Sequence, residues 1–113
     1  MPTEATLRPR ERILRREEFE RIYDRGRKVH AKFGIIFLSD NGLAVARLGI
    51  AATRKFGGAV ERNRAKRRIR DVFRRNKIAP GFDIVVIPKR AILDVTLDTF
   101  EAEFRGVLER FTR

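Results

Sequence analysis

Cysteine is absent from the 113 residues. That excludes disulfides and thiolate metal sites and leaves nothing to argue for an oxidising compartment. Histidine occurs once, at His30, so a His-based metal cluster has no second member, and a lone His near the start of a strand has no positioned partner to make it a base. No apolar run approaches the length of a membrane span, and the opening stretch MPTEATLRPRER lacks the apolar core of a secretory signal. The chain is therefore read as cytoplasmic. Paired carboxylates at catalytic spacing and a G-x-x-x-x-G-K-[ST] loop are missing as well, and Ser39 lies in a turn without a nucleophile motif. Glu61 and Asp71 fall on one predicted helix about 15 Å apart along its axis, too far to share a magnesium ion. No catalytic residue and no metal site is expected.

Acidic residues are also scarce. Twenty-seven Lys and Arg face fifteen Asp and Glu, for a net charge of +12. From Lys77 onward bases and acids are equal in number, so the whole excess belongs to residues 1–76. Charge gathered in one part of a folded chain makes a basic face and fits a polyanion partner. At this length one domain is expected over residues 1–113, with residues 1–14, punctuated by Pro2 and Pro9, as an extended basic arm.

The excess is densest in GGAVERNRAKRRIRDVFRRN, Gly57 to Asn76. Ala65, Ile69, Val72 and Phe73 recur at helical spacing and predict a face laid onto a core. Asn63, Lys66, Arg67, Arg70 and Arg74 form a second stripe that is nearly all cation, flanked by Arg64, Arg68 and Arg75 and relieved only by Asp71. Like charges at i,i+3 and i,i+4 destabilise a free helix, so this pattern implies a partner. Of the eight cations from Arg62 to Arg75 seven are Arg, whose planar fork holds a phosphate with two hydrogen bonds. Gly57 and Gly58 before the helix fit either a phosphate cradle at its N-terminus or simply the turn from a strand.

Around this helix the elements follow from periodicity. REEFERIYDRG predicts a short helix with Phe19, Ile22 and Tyr23 on one face and Gly26 at its end. Val29 to Leu38 reads as one strand with Phe33, Ile35 and Phe37 on one side; Asp40-Asn41-Gly42 then turns the chain into a returning strand over Leu43 to Thr53. After Pro80-Gly81, the apolar run Asp83 to Ile87 predicts a buried central strand. Leu97, Phe100, Phe104, Val107, Leu108 and Phe111 make the stripe of a last helix, with Thr96 or Asp98 as N-cap and Gly106 as a weak point. The fold class is α+β: an α/β sandwich in the order α-β-β-(β)-α-β-α, with helices packed on one small sheet.

The stretch AATRKFGGAVERNRAKRRIR closely resembles the signature of the protein subunit of bacterial ribonuclease P: a strand ending in a Lys-bearing turn, then Gly and Ala-Val, then a helix opening Arg-Asn-Arg followed by Lys-Arg. The resemblance extends upstream to EEFERIYDRG and downstream to DIVVIPK and the closing helix. It implies a ribosomal-protein-like fold with a left-handed crossover around the basic helix, against the general right-handed rule. It further implies an accessory subunit of an endoribonuclease whose catalytic RNA, using magnesium ions, removes the 5′ leader of precursor tRNA. The partners implied are ribonuclease P RNA and precursor tRNA, with no membrane and no obligate protein partner. Lys55, Arg62, Asn63, Arg64, Lys66, Arg67, Arg70 and Arg74 would then face the RNA. The leader would run through a cleft between the basic helix and the sheet, along Phe19, Tyr23 and Phe37 with Arg54 beside them; stacking on such rings tolerates any base. The alternative is a general structured-RNA binder such as a ribosomal protein. A helix-turn-helix DNA reader is disfavoured, since no second helix stands close before the basic one.

Overall fold

An apolar run with no alternation must be buried on both faces, and DIVVI meets that requirement inside β4 (Phe82–Pro88), whose residues 83–86 are all buried. This computed structural model describes residues 9–112. β4 pairs antiparallel with β2 (Gly34–Asp40) and parallel with β3 (Arg47–Ile50), while β1 (Arg27–Ala31) adds to the outer edge of β2, giving the order β1-β2-β4-β3. Four helices complete the α+β architecture: α1 (Arg16–Arg25), α2 (Ala59–Arg75), the short α3 (Ala91–Asp94) and α4 (Leu97–Phe111). The third strand, bracketed in the expected order, is present, and α2 carries the chain between the parallel neighbours β3 and β4.

Alternation along the central strands divides the core in two. Ile36, Leu38, Leu48, Ile84 and Val86 meet Ala65, Ile69, Val72 and Phe73 of α2 and Phe100, Phe104 and Leu108 of α4 in the larger cluster. Phe37 and Val85 point the other way and meet Ile13 and Ile22, with Phe19, Ile35 and Ile87 at the margin. The helical stripes expected for α2 and α4 are thus the ones that pack, each fully buried side chain contributing about 2 kcal/mol. Thr96 caps α4, its hydroxyl accepting from the Thr99 N–H at 3.1 Å. α1 has Arg15 at its N-cap without a side-chain cap, and Glu17 and Glu18 in its first turn favour the positive end of the helix dipole.

Two expectations are corrected here. Val29 to Leu38 is not one strand. It breaks at Lys32-Phe33 into β1 and β2, which pair from Ala31↔Gly34 outward. The Phe33 ring is drawn into the larger core, edge-on to Phe100 at 4.7 Å, so it does not share a side with Ile35 and Phe37. Gly34 is required by proximity, since a Cβ there would stand 2.4 Å from the Ile87 carbonyl oxygen. Nor is there a hairpin between Val29–Leu38 and Leu43–Thr53. Asp40-Asn41-Gly42 does turn the chain, with Gly42 at φ 70° and the Asn41 side chain accepting the Leu43 N–H at 2.7 Å. The returning strand is only Arg47–Ile50, and it pairs with β4, leaving β2 and β3 on opposite sides of that strand.

Met1 to Arg8 of the expected arm lie outside the described residues. Of its remainder, Pro9–Glu11 is a 3-10 turn and Arg12 bridges Leu48, with the Ile13 N–H donating to the Leu48 carbonyl at 2.9 Å. Glu11, buried, pairs with Lys77.

Candidate nucleic-acid interface

Burial of Ala65, Ile69, Val72 and Phe73 fixes which side of α2 faces outward. Asn63, Arg64, Arg67 and Arg70 are exposed and Lys66 half-exposed, and these four cations make no ion pair among the described residues. The neighbouring cations are engaged. Arg62 donates to the Gly57 carbonyl at 2.8 Å, Arg74 is half-buried beside Asp71 at 3.4 Å, and Arg75 holds Glu101 at 3.0 Å. Arg68 turns inward and donates to the Ile92 and Val95 carbonyls at 3.1 and 2.7 Å, tying α2 to the turn between α3 and α4. The eight cations from Arg62 to Arg75 therefore divide into an outward set and a structural set.

The helix N-terminus is occupied by the chain's own carboxylate. Glu61 accepts the Gly58 N–H at 2.8 Å and takes Arg90 at 2.8 Å on its other oxygen. The Arg90 bond and then the Gly58 N–H hold the Glu61 carboxyl below its ordinary value. Gly57 and Gly58 lead from the turn at residues 54–56 into α2. A Cβ on Gly57 would meet Arg90 at 2.7 Å.

Phe19, Tyr23 and Phe37 come together, but not between the basic helix and the sheet, where the larger core packs. They stand on the opposite face, between α1 and the sheet, because Phe37 alternates away from α2. Tyr23 lies edge-on to Phe37 at 4.9 Å and tilted to Phe19 at 6.3 Å, and Lys28 Nζ sits 5.9 Å from the Phe37 ring centre. Tyr23 and Phe19 are partly exposed; Phe37 is buried. Partial burial raises the Tyr23 hydroxyl above its ordinary value, so it stays neutral at physiological pH. Ile87, at the margin of this face, also lines a groove of about 250 Å³ with Ala51, Thr53, Lys55, Phe56, Pro88, Lys89 and Arg90. Arg54 is exposed on the turn and is not among these lining residues; Lys55 is. His30 is exposed on β1, opposite Ile35. Among the described residues, no group of three or more His, Asp and Glu could hold a metal ion.

A basic helix standing on one side of a small mixed sheet and rings on the other can be set against known proteins. The family model described as Ribonuclease P matches residues 7–112. The ribonuclease P protein component of Thermotoga maritima is 45% identical over 92 residues, covering 80% of this chain and 78% of that one. The chain belongs to the bacterial ribonuclease P protein family. A solved T. maritima RNase P protein superposes with TM-score 0.81 at 37% identity over 89% of this chain and 97% of that one. The Staphylococcus aureus RNase P protein gives 0.77 at 33% over 88% and 93%. As a member of this family the chain is the protein subunit of ribonuclease P, the endoribonuclease of tRNA 5′ maturation, and its partner is ribonuclease P RNA.

In this ribonuclease P protein one cluster escaped the sequence reading. Asp83, buried at the start of β4, accepts from Arg47 Nε at 2.8 Å and Nη2 at 2.7 Å, and from the Asn41 amide at 3.0 Å. Arg47 also donates to Glu18 of α1 at 2.8 Å. The Asp83 hydrogen bonds raise the Arg47 guanidinium still further above its ordinary value. This network fastens α1 to the ring face. Its signal was available as a lone Arg in the apolar run ARLGI and a lone Asp at the head of DIVVI. Arg90 is the second omission, hidden because its partners Glu61 and Phe56 are remote in sequence.

Proposed function

We propose that α2 docks the catalytic RNA through Asn63, Arg64, Lys66, Arg67 and Arg70, and that the ring face receives the single-stranded 5′ leader of precursor tRNA. The observation that carries this reading is the row of outward cations on α2 that, among the described residues, form no ion pair. Arg forks on that row bind phosphates, and Lys55 continues the positive charge to the groove beside Ile87. Arg62 and Arg74 stiffen the row from within more than they reach outward. Phe19, Tyr23 and Phe37 offer π-faces that accept bases of any sequence, with Lys28 beside them and Arg54 on the adjoining turn for the backbone. Hydrolysis belongs to the RNA and its magnesium ions; this chain contributes binding and orientation. The whole chain acts as one RNA-binding domain in the cytoplasm, without membrane or obligate protein partner, and its β3-α2-β4 crossover has the left-handed sense of the family.

The test is cleavage of a leader-bearing precursor tRNA at low magnesium by the protein, by a bacterial ribonuclease P RNA, and by both. Efficient cleavage only with both is expected. Arg67→Ala weakens RNA binding and lowers the slope of log affinity against log salt by about 1. Site-specific cleavage by protein alone overturns the accessory role, and an unchanged salt slope removes Arg67 from the interface. No effect in any mixture returns the chain to the general RNA-binding reading.

A further inference from the structure

Glycine inside a strand weakens it and marks a bulge or a close approach. Gly49 stands in the middle of β3, opposite Val85, and its φ is not positive. The backbone there does not need glycine; the space above it does. A Cβ at Gly49 would lie 2.8 Å from both Cε1 and Cζ of Phe19 and 3.1 Å from Cβ of Ile13. The outer edge of the Phe19 ring therefore rests directly on the β3 backbone, with Ile13 closing one side.

Register places this contact in a row. Lys28, Phe37, Val85 and Gly49 are cross-strand partners across all four strands. α1 lies over that row so that Phe19 rests on Gly49 while Tyr23, one turn later, rests edge-on against Phe37. The missing side chain at Gly49 lets one end of the ring ladder sink to the sheet, which keeps Phe19 6.3 Å from Tyr23.

We propose that Gly49 is a positioning residue for leader binding, setting the height and tilt of the Phe19 ring. This rests on the reading of the ring face as the leader site. A methyl at position 49 finds Ile13 on one side and the ring on the other. The half-buried ring is the freer of the two, so it moves outward and leaves the stacking platform.

The experiment uses the holoenzyme reconstituted with ribonuclease P RNA and compares affinity for a precursor tRNA with that for the same tRNA without its leader. Stacking of one base is worth roughly 1–3 kcal/mol, so Gly49→Ala is expected to cut the leader-dependent gain by about fivefold or more. KM for the precursor rises while kcat and the affinity for ribonuclease P RNA hold. Phe19→Leu is expected to give a similar loss, and the double variant no further one. Loss with Phe19→Leu but not with Gly49→Ala overturns the role of Gly49 and leaves the ring-face reading standing. No loss with Phe19→Leu overturns that reading and the proposal with it. Should Gly49→Ala lower the melting temperature, the same change made in the Phe19→Leu background is expected to lower it less, because Leu is shorter than the ring; an equal loss in both backgrounds means that the methyl meets something other than Phe19, and overturns the proposal.

Discussion

The two faces of the sheet are built to different standards. On the face covered by α2 and α4, eighteen buried residues form a continuous cluster that includes four phenylalanines below 2% exposure. On the α1 face the buried apolar cluster among the described residues is Ile13, Ile22, Phe37 and Val85, and the rings beyond them are partly open to solvent. Cohesion is concentrated on one side, so the other can keep aromatic surface uncovered without endangering the fold. Polar contacts make up part of the deficit. Glu18, Arg47 and Asp83 hold α1 where apolar area alone is thin. Removing one member of such a buried pair is far more damaging than its net worth suggests, because the other charge is left without a partner.

The contrast can be broken most forcefully from the closed side. Phe104→Ala is expected to cost about 4 kcal/mol of unfolding free energy in a urea titration. Tyr23→Ala, on the open side, should cost under about 1 kcal/mol while sharply reducing the gain from a leader in holoenzyme binding. Equal stability losses would mean that the open face is as much core as the closed one. Gly106 sharpens the comparison in the opposite direction. It lies exposed within α4, and a Cβ there meets nothing within 4 Å, so Gly106→Ala should stabilise by roughly 1 kcal/mol and raise the melting temperature.

The smallest effect is one of pH. Glu101, on the side of α4 that meets the end of α2, is held below its ordinary carboxylate value by Arg75 and then by Asn76. A depressed folded value contributes stability above the unfolded pKa and loses it as the pH falls through the folded one. Glu101→Gln should therefore cost less than about 1 kcal/mol at neutral pH, the pair being partly solvent-screened, and its deficit should shrink as the solution is acidified. A deficit that stays constant from neutral to acid pH would show that the carboxylate's charge contributes nothing there.

Legibility in the sequence followed the distance over which each feature is decided. α2 could be read down to its buried stripe, since helical period and charge are both local, and the same held for α4 and for the apolar run of β4. The break at Lys32-Phe33 could not, because Phe33 is apolar and its reason for leaving the strand is a pocket between Phe100 and Phe104, far along the chain. Asp40-Asn41-Gly42 announces a turn but not the strand that the chain joins next; that choice is a long-range pairing with β4. The rings were expected beside the basic helix and stand on the other face for the same reason, since the side of the sheet to which Phe37 points depends on that pairing. Among the cations, composition could not separate Arg68, spent on two carbonyls, from Arg67, spent on none in the described structure.

The crossover has a mechanical side. α2 is joined at one end to β3 and at the other to β4, strands that lie next to each other in the sheet and also form part of the floor beneath α1. The helix cannot roll about its axis without pulling Ala65, Ile69, Val72 and Phe73 out of the core, and seven-residue β4 is locked to β2 along its whole length. Under the proposed docking, a load from RNA on the outer side of α2 would pass through that packed face to the floor under the rings. On that reading the domain serves as a spacer, setting the offset between whatever lies on the rings and whatever grips the helix.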